Sequence, residues 1–185
     1  VQTGVDARYW RLRGLRIRPL IEGYSNWAAI SIGQGATSPA QLPSHVELDR
    51  ILIDLDDVKA PDFRYQIVLL FGRDIWMHHS HVSGVVSAND GDYSAVWVGF
   101  SPGPVLVEDN YLESGGETVF VGGGNFGNNV QATPTDVTIR RNHITFNLAW
   151  RGIYQVKNLF ETKQAVRLRL EGNLFTNQWV GAQIA

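Results

Sequence analysis

One six-residue pattern recurs six times along the chain. The copies are WRLRGL from Trp10, VELDRI from Val46, IWMHHS from Ile75, VLVEDN from Val105, VTIRRN from Val137 and LRLEGN from Leu168. Their starts are separated by 36, 29, 30, 32 and 31 residues. Every copy is apolar at its first and third positions and mostly polar at its second and fourth, the period-2 signature of a half-buried strand. A near-constant period of about 30 residues means a stacked repeat, in which each unit buries its apolar face only against its neighbours.

Two further strands recur inside the same period. One reads AISIG (29–33), IVLLFG (67–72), AVWVGF (95–100), TVFVGG (118–123), VKNLFE (156–161) and WVGAQI (179–184). The other follows the first pattern closely, as LRI, LID, HVSG, YLES, HITF and LFTN. Nineteen glycines and seven prolines supply turns, and helical periodicity is nearly absent. The best helical candidate is a short turn near Ser38 to Leu42. Three short strands per repeat, returning to one place, make one coil of a parallel β-solenoid, with successive coils about 4.8 Å apart. The expected architecture is all-β, about six coils over residues 1–185, as a single domain.

Charge tests the register independently. Stacking the copies sets Arg11 under Glu47, Arg13 under Asp49 and Arg18 under Asp54. Higher up, Glu108 neighbours Arg140, Arg140 neighbours Glu171, and Asp109 neighbours Arg141. Opposite charges across strands stabilise by roughly 0.2–1 kcal/mol each, and a one-residue slip would lose them and turn the apolar set outward. The sixth position holds Asn110, Asn142 and Asn173. Asparagine tolerates left-handed corner geometry, and stacked amides bond one another, so an internal ladder is expected there.

The segments GPVLVEDNYLESGGETVFVGGG (103–124), PTDVTIRRNHIT (134–145) and VKNLFETKQAVRLRLEGNLFTNQWVGAQ (156–183), with YWRLRGLRIRP (9–19) more loosely, resemble right-handed parallel β-helix proteins of the pectate-lyase-like kind. Within these, the chain is most similar to uncharacterised bacterial "right-handed β-helix region" proteins. The resemblance is tight after about Gly91 and weak between Gly33 and Ser87. It implies a right-handed coil, a secreted or cell-surface location and a polysaccharide as partner. It brings no catalytic motif, and DYSA (92–95) departs from the DSQA-like stretch of that group.

Composition limits the partners. Sixteen basic residues balance eighteen acidic ones, so total charge gives no reason to expect nucleic acid. Thirteen of the basic residues are arginine, five of them clustered between Arg8 and Arg18. There is no cysteine, hence no disulfide, and no apolar run long enough to span a membrane as a helix. The sequence opens at Val1 and stops at WVGAQIA as a strand begins, without a capping element. A solenoid end leaves strand edges open, so this segment is expected to belong to a longer β-helix or to have its C-terminal coil covered by another chain.

The outward side of the first strand is the place for chemistry. One column reads Arg13, Asp49, His78, Glu108, Arg140, Glu171. The candidate catalytic residues are Glu47, Asp49, His78 and Glu108, for a polysaccharide lyase or glycoside hydrolase. Asp49 and Glu108 lie two coils apart, roughly 9.6 Å, whereas Glu47 and Asp49 share a strand face at about 6–7 Å. The latter fits the ~6.5–9.5 Å separation of an inverting glycosidase. Arginine beneath each carboxylate suits a base and works against a general acid, and a charge ladder is the favoured reading of the same residues. Trp76, Trp97 and Arg140 are the candidate substrate-binding residues; the aromatics serve either to stack on sugar rings or to pack under loops.

Metal binding is not expected. HHSH (78–81) offers imidazoles, but His143 stands two coils from His81 and no carboxylate spacing completes a site. Calcium would need clustered carboxylates, and Asp54, Asp56 and Asp57 form the only dense group, read as a solvated turn. GGGNFGNN (122–129) lacks GK[ST] and a following helix, so it reads as a surface loop, not a phosphate cradle. That loop and SPAQLPSH (38–45) are the expected places for specificity. Lys157, Asn158 and Glu161 read as a buried polar network, with Asn158 pointing inward alongside Phe160. The competing expectation is a non-catalytic scaffold whose ladders serve stability alone.

Overall fold

The computed structural model describes residues 1–18, 28–55, 66–86, 92–124 and 132–179. It is a parallel β-helix of six coils whose strands, numbered in chain order, form three parallel sheets. The first sheet stacks β1 (Arg8–Arg13), β4 (Ser44–Asp49), β7 (Arg73–His78), β10 (Val105–Glu108), β13 (Thr135–Arg140) and β16 (Val166–Glu171). The second stacks β2 (Arg16–Ile17), β5 (Leu52–Asp54), β8 (His81–Val85), β11 (Tyr111–Ser114), β14 (His143–Thr145) and β17 (Leu174–Thr176). The third stacks β3 (Ile30–Ile32), β6 (Val68–Leu70), β9 (Val96–Val98), β12 (Val119–Val121) and β15 (Phe160–Thr162). The only helical elements among the described residues are two three-residue 3₁₀ turns, Pro39–Gln41 and Leu148–Trp150. No helix there is long and apolar enough to cross a membrane.

The register of the first sheet is the one the six copies dictate. Trp10 pairs with Val46, Val46 with Ile75, Ile75 with Val105, Val105 with Val137, and Val137 with Leu168. The first and third positions therefore point inward together, and Val46, Leu48, Ile75, Met77, Val105, Val107, Val137 and Ile139 are buried. Burying each such side chain stabilises by roughly 1.5–3 kcal/mol relative to exposure. Ile53, Val82, Leu112 and Ile144 of the second sheet close one side of this core, and the alternating valines, leucines and isoleucines of the third sheet close the other.

Position five of the repeat makes the corner between first and second sheets. Arg50, His79, Asp109 and Arg141 all have φ between 50° and 56° there, with Gly14 and Gly172 in the end coils. The left-handed residue thus precedes the asparagine, correcting the expectation that the asparagine itself supplies it. Asn110, Asn142 and Asn173 instead turn their amides inward as the ladder. Asn110 Nδ2 donates to Asn142 Oδ1 (2.9 Å) and Asn142 Nδ2 to Asn173 Oδ1 (3.0 Å). The ladder extends one coil lower than the asparagines, because Ser80 N donates to Asn110 Oδ1 and Ile51 N to Ser80 Oγ.

The last third-sheet strand departs from the sequence alignment. VKNLFE aligned at 156 puts Lys157 opposite Val119, but Phe160 takes that place, so β15 starts three residues later. The intervening chain carries the Leu148–Trp150 turn, and Trp150, Val156 and Leu159 join the core. Asn158 lies outside the strand, half-buried, and donates to Glu161 Oε2 (2.7 Å) instead of pointing inward. The expected strand WVGAQI lies, after Trp179, outside the described residues.

The outer side of the third sheet is apolar in its middle three coils, between Ser31 below and Glu161 above. Leu69, Trp97 and Phe120 stack in one column, and the 33–43 loop seals it with Ala36 and Leu42 in a second cluster that also holds Phe71. Gly33 permits this approach: its φ is +77°, and a Cβ would stand 2.1 Å from the Phe71 carbonyl oxygen. SPAQLPSH therefore packs down on the sheet through Leu42, and most of GGGNFGNN lies outside the described residues.

Candidate functional site

The outward side of the first sheet carries second- and fourth-position residues from adjacent coils, and here parallel register decides which side chains meet. Asp49 pairs with His78 and His78 with Glu108, so the three stand in one column; Glu47 and Trp76 form the neighbouring one. The register thus brings together Glu47, Asp49, His78, Glu108, Trp76 and Arg140. Trp97 is on a different sheet. It is 3% exposed inside the second apolar cluster, with its indole N–H given to the Gly122 carbonyl, so its expected role in substrate binding is replaced by packing.

Each carboxylate is held by cations from the coil below, the coil above or the next residue. Glu47 Oε2 accepts from Arg11 (2.9 Å). Asp49 Oδ2 meets Arg13 Nε (2.9 Å) and Arg50 (2.8 Å), the latter swung back by its left-handed corner. Glu108 Oε2 accepts from Arg140 Nε and from Arg141, both at 2.6 Å, while Trp76 Nε1 donates to Glu108 Oε1 (2.9 Å). Asp109 accepts from Arg141 Nε and Nη2, sharing Nη2 with Glu108.

These contacts set the proton affinities. Burial pushes the Asp49 carboxyl up, but the His79 hydrogen bond and the charges of Arg50, His78 and Arg13 outweigh it, leaving the group below its usual range. Glu108 is likewise pushed up by burial and pulled further down by Arg140, Trp76 and Arg141. Both stay ionised at neutral pH, so neither is a general acid for glycoside cleavage. The charge-ladder reading of these two carboxylates is the one their surroundings favour.

The histidines sit in the middle. His78 is buried, its Nε2 is 3.0 Å from Glu47 Oε1, and the Trp76 ring stacks on it at 4.0 Å and 17°. His79 turns at the corner so that its Nδ1 comes within 2.8 Å of His78 Nδ1 and 3.4 Å of Asp49 Oδ1. His78 Nδ1 is 3.6 Å from the same Asp49 oxygen. Asp49, His78 and His79 therefore form a group of potential metal ligands, which overturns the expectation that no carboxylate completes one. Spacing along the sequence hid it because Asp49 comes from the coil below and His79 folds back only through its positive φ.

The remaining sequence candidates stay apart. His81 and His143 share a column with Tyr111 between them, stacked on His81 at 4.5 Å. Asp56 and Asp57 of the calcium candidate lie outside the described residues. Outside the strands, Lys157 pairs with Glu117 and with Asp92 of the DYSA stretch, partners that the sequence reading of Lys157 did not name.

Comparisons of the chain with protein-family models, with curated proteins and with solved structures return no significant match.

Proposed function

We propose that this β-helix is a non-catalytic module that binds an acidic polysaccharide along the outward side of its first sheet. The carrying observation is Trp76. One face of its ring rests on His78, its N–H is tied to Glu108, and the side chain still exposes 41% of its surface. An indole fixed before the ligand arrives loses little entropy when the apolar C–H face of a sugar docks on it. Arg11 holds the Glu47 paired with Trp76, Arg140 and Arg141 hold the Glu108 that accepts its N–H, all three are half-exposed, and a guanidinium fork suits the carboxylate of a uronic acid. The low proton affinities of Asp49 and Glu108 favour binding over hydrolysis. A place among pectate-lyase-like proteins and a secreted or surface location belong to this same proposal and rest on the resemblance above.

Affinity electrophoresis and calorimetry with polygalacturonate and a neutral glucan test the proposal. Retardation by the uronate is expected, and Trp76→Ala should weaken it about tenfold or more, equivalent to about 1.4 kcal/mol. Trp76→Phe, which keeps a ring but loses the Glu108 hydrogen bond, should fall between. Release of reducing ends or of ultraviolet-absorbing unsaturated products would replace the binding module by an enzyme. Absence of binding to every acidic and neutral glycan tried leaves the scaffold reading, which the internally satisfied asparagine ladder already favours as a second choice.

A further inference from the structure

We propose that Asp49, His78 and His79 form a three-ligand site for a divalent transition-metal ion, bound through Asp49 Oδ1 and the two imidazole Nδ1 atoms. The donor atoms make a triangle with sides of 2.8, 3.4 and 3.6 Å. Metal–nitrogen and metal–oxygen bonds of 2.0–2.2 Å in a tetrahedron place ligand atoms about 3.3 Å apart. Only the shortest side must open, by a few tenths of an ångström, and His79 is the free end that can give.

The hydrogen bonds fix which atoms are available. An ionised carboxylate only accepts, so the 3.0 Å contact from His78 Nε2 to Glu47 places a proton on Nε2. In the neutral ring that a metal ion requires, Nδ1 carries the lone pair, and it faces His79 Nδ1 and Asp49 Oδ1. His79 Nδ1 stands across that 2.8 Å gap and 3.4 Å from Asp49 Oδ1. A bound ion would take the place of the proton between these atoms, and neutral His79 would then carry its proton on Nε2, on a side chain that is half-exposed to water. Asp49 is divided in the same way: Arg13 and Arg50 hold Oδ2, whereas Oδ1 faces the two rings.

The surroundings match what a metal site needs beyond its ligands. A second carboxylate orients His78, Arg11 in turn holds that carboxylate, and Trp76 clamps the ring face. Asp49 and His78 lie on paired strands, so their spacing is set by the sheet and not by a loop. Two imidazoles and one carboxylate suit zinc, nickel, copper, cobalt or ferrous iron; calcium needs six to eight oxygens. Three protein ligands leave a position for water or an exchangeable ligand, and the guanidinium groups around Asp49 weaken the site relative to a four-ligand structural zinc centre.

Chelator-stripped protein titrated with Zn²⁺ by calorimetry, and with Co²⁺ by visible absorption, should take up one equivalent and develop a d–d spectrum. Cu²⁺ should quench Trp76 emission, and Trp76→Phe should lose that quenching while keeping Zn²⁺ stoichiometry. His79→Asn is the decisive variant, since asparagine tolerates the positive φ at that corner and removes only the imidazole. It should weaken Zn²⁺ binding at least tenfold and abolish any rise in melting temperature on adding Zn²⁺, each variant being read against its own metal-free melting temperature. His143→Asn, two coils away from this site, should bind as the parent does. Parent protein that takes up no zinc at about 100 μM, or His79→Asn binding zinc as the parent does, would overturn the proposal. No polysaccharide enters these measurements, so their outcome is independent of the binding-module reading.

Discussion

Asn142→Ala is expected to destabilise the protein by about 4 kcal/mol, read from equilibrium urea denaturation. Asn142 is buried, and its Oδ1 accepts from both the backbone N and the Nδ2 of Asn110. Its own Nδ2 donates to the Val107 carbonyl and to Asn173 Oδ1. Alanine removes all four bonds at once and leaves the buried Asn110 N–H without its acceptor; an orphaned buried group costs about 1–3 kcal/mol and each lost bond about 1 kcal/mol. Asn173→Ala supplies the internal comparison. It is the uppermost asparagine of the ladder among the described residues, and half-buried, so its loss should be about half as large. Asn142→Asp tests direction: a carboxylate keeps the acceptor but cannot donate to Val107 O or Asn173 Oδ1, and it should be at least as damaging as alanine. A cost for Asn142→Ala below about 1 kcal/mol would show that sheet pairing alone holds the coils in register.

The six copies were readable because an in-register solenoid asks the same thing of every coil. Apolar residues must recur at positions one and three, and charges must alternate across coils, so pattern and contact coincide. Arg11–Glu47, Arg13–Asp49, Glu108–Arg140 and Asp109–Arg141 are all formed as pairing predicted. Arg140 shows the limit, since it has Glu171 beside it on one strand and Glu108 on the other, and its guanidinium bonds Glu108. Pairing rules name the neighbours; rotamers choose between them.

What stayed hidden depends on corners and on loops longer than a turn. The β15 register failed because VKNLFE has the right texture three residues too early. The Leu148–Trp150 turn that shifts it had one sequence signal, Asn147, whose side chain caps Ala149 N. The fate of Trp97 was equally unreadable, because an outward aromatic on a strand looks the same whether a loop covers it or water does. The Asp49–His78–His79 group needed two facts together, the coil-to-coil register and the positive φ of His79. The six aligned fifth positions carried that second fact only in part: the two glycines, His79 and Asp109 are residue types that favour the left-handed region, whereas Arg50 and Arg141 give no such signal.

Acid should destabilise this protein in part through Glu108, and Glu108→Gln isolates its share. Burial raises the Glu108 proton affinity, yet the hydrogen bonds and charges of Arg140, Trp76 and Arg141 bring it below the ordinary value, and Asp109 is lowered chiefly by its bond to Arg141. A carboxyl whose folded pKa is depressed stabilises the protein fully above its unfolded pKa of about 4, and that stability drains away as pH falls through the lower folded value. The parent should therefore hold a plateau above about pH 5 and lose stability steeply below about pH 4. Glutamine still accepts from Trp76 but offers no charge to the two arginines, so at pH 7 the variant should be weaker by about 1.5–3 kcal/mol, the worth of a hydrogen bond to a charged group. That gap must close as pH falls, because a protonated Glu108 and the glutamine that replaces it are then nearly alike. Glu117 runs the other way: burial raises it despite Lys157, so Glu117→Gln should relieve a penalty near neutrality that the parent sheds on mild acidification. A Glu108→Gln deficit of equal size at neutral pH and at about pH 3 would show that the side chain matters for its shape in the ladder and not for its charge.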